Sequence, residues 1–326
     1  MIYASRVTVV FAAVLTMSIG VSRGAVIDVD TVIGPDYPFQ QETITVVDGI
    51  QPPTEVTILD GVLLGTPSGP SVDIALELLG VSRAAMQGGI IQGSTESVAV
   101  RDHASFHMVG GEIIFRPIVA HDNSRVVIDA GQWENIQSFD SSRVQINGGG
   151  PLGHIYSLKT FGDSHAVIND SGLDALADDT SSIVVNFGRF ESFRSLGNSE
   201  VLIKGGGYTT GIRALEASVV HIRGLDDDLF SEPLRIENSA VVHVYGTGLH
   251  FDVVPDPDIQ INVVRGTWAD GSEALFRYRL FDQGQIILHE VPEPTAAALL
   301  ALGAASMLVW RRAHFAALTR SAAKHR

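Results

Sequence analysis

The chain has 326 residues and no cysteine. It therefore holds no disulfide, no thiolate nucleophile and no cysteine-ligated zinc, and its body must be stabilised by a large buried core. About 265 residues between the two ends suffice for that. Positive charge is also scarce, with 22 Lys and Arg against 37 Asp and Glu. All 37 acids and 15 of the basic residues lie between 25 and 294, so that stretch carries a formal charge of −22. Such a surface repels phosphate backbones, which excludes nucleic acid as a partner and favours divalent cations or basic partners. Several motifs are missing as well: a serine or cysteine nucleophile motif, H-E-x-x-H, a P-loop, a dinucleotide fingerprint and the glycine-aspartate nonapeptide of RTX repeats. Flat outward Thr-x-Thr ladders, which ice binding requires, are absent too.

Long apolar runs are confined to the two ends. Arg6 precedes Val7 to Val21, an uncharged, mostly apolar 15-residue stretch, and Ser22-Arg23-Gly24 supplies small residues at −3 and −1. Residues 1–24 read as a secretory signal peptide, forming a signal helix until it is cut near Gly24, with a retained anchor as the alternative. At the other end stand Val291-Pro292-Glu293-Pro294, the uncharged 16-residue run Thr295 to Trp310, and the pair Arg311-Arg312. Proline fixes the first four residues in an extended form that a protease can bind as a strand. The run is short for a ~30 Å hydrocarbon core, but Trp310 suits the interface and the arginines snorkel and stay cytoplasmic.

This order and spacing resemble the PEP-CTERM sorting signal of Gram-negative and planctomycete bacteria, whose members are processed by a membrane-embedded exosortase. The resemblance covers about the last 36 residues. The 14-residue basic tail Ala313 to Arg326 is longer than the few residues expected after the arginines. The resemblance implies a secreted or cell-envelope protein, held first by a C-terminal transmembrane helix (residues 291–312 with the motif, 313–326 as cytoplasmic tail). An exosortase-type protease would be its processing partner. A simple single-span anchor is the plainer alternative.

The body repeats. A small residue followed by alternating apolar residues begins at Thr54, Ser82, Ala104, Ser124, Ser142, Ser164, Ser181, Ser199, Ser218 and Ala240, with a mean step near 21 residues. Unequal steps of that size signal a solenoid with loops of varying length. Within each copy the apolar period is two and β-branched residues dominate, so the unit is a strand with one inward face. Glycine follows at Gly89, Gly111, Gly131, Gly149, Gly188 and Gly206, where the chain turns. Second apolar segments, such as Trp133, Ile136 and Phe139, span only about nine residues and are too short for stable helices. The expected fold is all-β, a right-handed parallel β-helix over residues 62–250. Residues 25–61 form a cap or first rung, and 251–290 form capping strands. A leucine-rich repeat shares the period but lacks its L-x-x-L-x-L-x-x-N signature. The stretch Gly266 to Ser272 (GTWADGS), leading into the sorting signal, is similar to the ends of other planctomycete exported β-helix proteins.

Candidate sites follow from stacking. The residue after the strand is Asp129, Asn147, Asn169 and Asn186 in four successive copies, which predicts a structural hydrogen-bonded ladder. Asp102, Asp122 and Asp140 precede their copies by two residues and would form a line of carboxylates able to share Ca²⁺, or each would cap its own turn. Asp226, Asp227 and Asp228, with Arg223, Arg235 or Lys204 on the same face, would make a lyase-like Ca²⁺ and base arrangement; a solvated loop is the simpler account. His221 and His243 share an outward position in adjacent copies, a weak two-ligand set or plain surface histidines. Val127, Val167, Val184 and Leu202, interrupted by Gln145, form an outward apolar strip. No catalytic constellation and no metal site emerges, and Ca²⁺ is the one cofactor the carboxylates would admit. The expectation is a non-catalytic structural or adhesive surface protein touching exopolysaccharide, with a polysaccharide lyase or glycoside hydrolase on the same scaffold as the alternative.

Overall fold

Alternation along each short strand sorts the side chains as a period of two demands. In Arg125–Ile128, Val126 and Ile128 are buried while Arg125 and Val127 face outward, and the same pattern recurs in Arg143–Ile146 and Glu200–Ile203. The structure is a computed structural model that describes residues 25–37, 42–49, 53–65, 73–151, 157–169, 172–225, 232–255 and 260–291. Among them every regular element is a β-strand.

The strands stack into three columns. The first runs from Ala25–Ile27 to Glu273–Leu280, the second from Thr31–Ile33 to Gln285–Glu290, and the third, of very short strands, from Leu63–Leu64 to Gly150–Pro151. Pairing within each column is parallel and joins each strand to its counterpart one coil away. One coil reads Ile118–Ala120, a four-residue turn, Arg125–Ile128, a glycine corner at Gly131, Gln132–Trp133, then Asn135–Ser138 above the start. The long, mostly parallel sheet has the coil-on-coil form of a β-helix solenoid. Spacing between coils is visible in the ring stack His121, Phe139 and Phe161, whose centroids lie 5.0 Å apart at each step.

The apolar positions share one core. Register pairs Val126 with Val144, Val144 with Ala166, Ala166 with Ile183 and Ile183 with Val201, all of them buried. The small residue that opens each copy is small because it is also inside. Ser82, Ser124, Ser142, Ser164, Ser181, Ser199 and Ser218 are fully buried at the turn. There Ser142, Ser164, Ser181 and Ser218 donate their hydroxyls to carbonyls one coil back, Ala120, Ser138, Thr160 and Ser195, at 3.0 to 3.2 Å. A buried hydroxyl with a partner avoids the penalty that a bare one would carry.

The solenoid extends past the repeats that the sequence marks. A coil with Ala25–Ile27 and Thr31–Ile33 precedes them. The stretch 251–290 is more than a cap: Val241–Pro255, Gln260–Thr267 and Glu273–Leu280 make an antiparallel excursion, after which the chain rejoins the first column and closes a final parallel coil with Gln285–Glu290. The excursion tucks Trp268 and Phe276, stacked 6.0 Å apart, into the same core. Residues 1–24, expected as a signal peptide, and Pro292 to Pro294, the apolar run and the tail lie outside the described residues. Among those described, no helix is long and apolar enough to cross a membrane.

One turn position is left-handed in coil after coil: Gly80, Asp102, Asp122, Asp140, Gly162, Asp179, Gly197 and Glu216 all have φ between 57° and 68°. A Cβ on Gly197 would come within 2.9 Å of the Asp179 backbone, whereas at Gly162 the nearest backbone atom is 3.1 Å away. Gly197→Ala is therefore expected to lower unfolding free energy by about 1–2 kcal/mol in urea titrations, and Gly162→Ala by less.

Candidate functional site

The outward face of the second column carries a groove. Thr57, Ala85, His107, Val127 and Gln145 follow one another in register, with Glu55, Arg83, Ser105 and Arg125 in the flanking row. Small side chains at Thr57 and Ala85 leave a trough there, and the whole depression measures ≈ 790 Å³. It spans five coils, roughly 19 Å along the column.

A connected polar network forms one wall. His107 Nε2 lies 2.6 Å from Asp129 Oδ2, and Asn147 donates to Asp129 Oδ1 at 2.6 Å. Gln145 donates to Asn147 at 2.9 Å and accepts from Arg125 at 3.4 Å. Arg83 and Glu55 form an exposed ion pair at 3.6 Å. The Asn147 amide, followed by His107, holds the Asp129 carboxyl below the usual carboxylate range. Chemically the trough presents donors and acceptors in a row, suited to hydroxyl groups of a linear ligand.

Asp129, Asn147, Asn169 and Asn186 stand in one hydrogen-bonded column. Each amide donates to the residue one coil back, at 2.6, 2.5 and 2.5 Å in order. The same post-strand position continues as Lys204 and Arg223, each taking its strand's next backbone bond from the coil below.

The carboxylate line departs from the expectation that each acid caps its own turn. Asp102 accepts from the Gly80 N–H, Asp122 from the Asp102 N–H and Asp140 from the Asp122 N–H, at 2.9, 3.1 and 3.2 Å. Asp179 and Glu216 bind Gly162 and Gly197 in the same way. The left-handed φ aims each side chain down the column, so it binds the neighbouring coil's turn and not its own. Among the described residues no three carboxylates or imidazoles are arranged to hold a metal ion. Asp226, Asp227 and Asp228 lie outside the described residues. Of the basic residues expected beside them, Lys204 and Arg223 occupy the same post-strand position in adjacent coils of the second column, and Arg235 is on the outer face of the first.

His221 and His243 stack, with centroids 4.9 Å apart. The structure adds two residues that the repeat pattern did not reveal. His243 Nδ1 lies 2.8 Å from His289 Nε2, and the Tyr245 hydroxyl lies 2.9 Å from His221 Nδ1. The repeat does not mark His289, because the antiparallel excursion sets it 46 positions after His243. Arg223 sits over the Tyr245 ring at 5.2 Å, and Glu200 approaches His221 at 3.6 Å. Burial depresses the His221 pKa, with Arg223 and His289 adding to the shift and Glu200 opposing it; burial, then His221 and His289, depress that of His243. The outward strip Val127, Gln145, Val167, Val184 and Leu202 runs in register between the groove and this cluster. Of the sorting motif only Val291 is described; its N–H donates to Gly246 and its carbonyl accepts from Thr247. Pro292, Glu293, Pro294, Arg311 and Arg312 lie outside the described residues.

Two outcomes test this geometry. Asn169→Ala removes one donor and one acceptor from the ladder and is expected to cost about 1–2 kcal/mol in chemical denaturation. For His221 and His243 the folded state binds fewer protons than the unfolded one, so stability is full above the ordinary pKa near 6.5 and falls as pH drops through the depressed values. The thermal midpoint should decline between pH 7.5 and 5.5, and His243→Gln should flatten that decline.

Comparison with known proteins finds no matching family model, no matching curated protein and no matching solved structure.

Proposed function

We propose that this chain is an exported, non-catalytic surface protein whose groove over the second column binds a linear polysaccharide of the cell envelope or extracellular matrix. In this reading the solenoid is a right-handed parallel β-helix. Residues 1–24 direct export, and Val291 to Arg312, with a transmembrane helix, act as a PEP-CTERM-type signal for an exosortase-type protease. The observation that carries the reading is the 790 Å³ trough, whose wall is the His107, Asp129, Asn147, Gln145 and Arg125 network. Open along the coil axis and lined by amides, hydroxyls and ionic groups, it fits a polymer of sugar rings better than a compact metabolite.

A polysaccharide lyase or glycoside hydrolase on the same scaffold is the second reading. The feature favouring it is the close His107 and Asp129 pair, since an imidazole oriented by a carboxylate suits proton abstraction. A glycan array probed with the full-length protein, with and without Ca²⁺, separates the two. Retention of polysaccharide without cleavage, weakened about tenfold by Arg125→Ala with Gln145→Ala, is the expected result. Release of unsaturated products that His107→Ala abolishes would establish the enzyme instead.

A further inference from the structure

The first column carries a second feature on its outer face. Register places Lys159 beside Leu176, Leu176 beside Arg194, Arg194 beside Arg213, Arg213 beside Arg235 and Arg235 beside Arg279. Four arginines thus occupy one position in four successive coils, over about 14 Å of column. The residues between 25 and 294 carry a formal charge of −22. A stripe of one sign against such a background concentrates positive potential where the rest of the surface is negative.

The arginines are only partly neutralised. Glu232 lies 3.4 Å from Arg213 and Glu237 lies 2.9 Å from Arg235, while Phe281 supports the Arg235 guanidinium from below at 5.2 Å. Among the described residues Arg194 and Arg279 have no ion pair, and both are exposed. Between Arg194 and Arg213 the surface dips, lined also by Ser192, Gly211 and Glu232. Stacked like charges repel one another, and an anion laid across them relieves that repulsion.

The geometry points to a binding stripe for an acidic polysaccharide, a chain with one carboxylate per sugar lying along the coil axis. A guanidinium forks onto a carboxylate with two parallel bonds, a match that lysine lacks. Sugar rings repeat at a length close to the strand spacing, so successive carboxylates meet successive coils. Nucleic acid has denser charge and would meet the acidic remainder of the body. This stripe is on a different column from the groove and does not depend on it.

Affinity electrophoresis of the full-length protein in gels containing a polyuronate, neutral dextran or single-stranded DNA tests the assignment. Retardation in the polyuronate alone is expected, fading as salt is raised. Arg194→Gln with Arg279→Gln should weaken it at least tenfold, whereas Arg116→Gln with Arg143→Gln, a charge-matched pair away from the stripe, should leave it unchanged. Unaltered thermal midpoints show that both double variants fold. No retardation, an equal loss in both double variants, or equal retardation by DNA would overturn the proposal. Retardation that survives loss of the stripe but is lost on Arg125→Ala would assign acidic glycan to the groove and also overturn it.

Discussion

Everything in this molecule depends on in-register parallel pairing between coils. Once Val126 lies beside Val144 and the pattern holds through Val201, each residue meets its own counterpart at the strand spacing. Sequence differences along a column then become physical gradients. A column of valine and isoleucine becomes core. Asparagine becomes a chain of amide bonds, and arginine becomes a line of charge. Chemistry is thus written along the axis and not around any one coil.

The columns differ in what they can tolerate. Serine at the buried turn bonds to the coil behind, and the position holds only small residues, with threonine or alanine at Thr54, Ala104 and Ala240. The left-handed turn accepts glycine, an acid or, at Asn238, an amide, and the acid also supplies an acceptor for a backbone N–H one coil back. Outward strand positions carry neither restriction. They hold valine, glutamine, histidine and arginine in turn, so binding surfaces can vary without disturbing the stack.

Much of the architecture was legible because the period-two apolar pattern and the recurring small residue are both consequences of stacking. The strand-end asparagines were legible for the same reason. Other features were hidden by physics that a linear reading does not contain. The third column's strands, two or three residues long, leave too little sequence for a period. His289 and Arg279 reach their columns only after the antiparallel excursion, which breaks the step. Arg194 and Arg213 fall in longer strands with bulges, where counting from the small residue loses register, and Arg235 falls in a strand of only three residues. The aspartates were visible, but their direction of bonding depends on a backbone torsion that residue identity alone does not specify.

That torsion gives the molecule an arrow. Each acid reaches from its own coil to an amide in the coil before it, so a newly added coil grips one that already exists. A chain synthesised from its first residue can therefore build itself coil by coil, each closure requiring only the preceding twenty or so residues. The last coil is the exception, since it must wait for the whole excursion to emerge before Gln285–Glu290 finds Val241–Gly246.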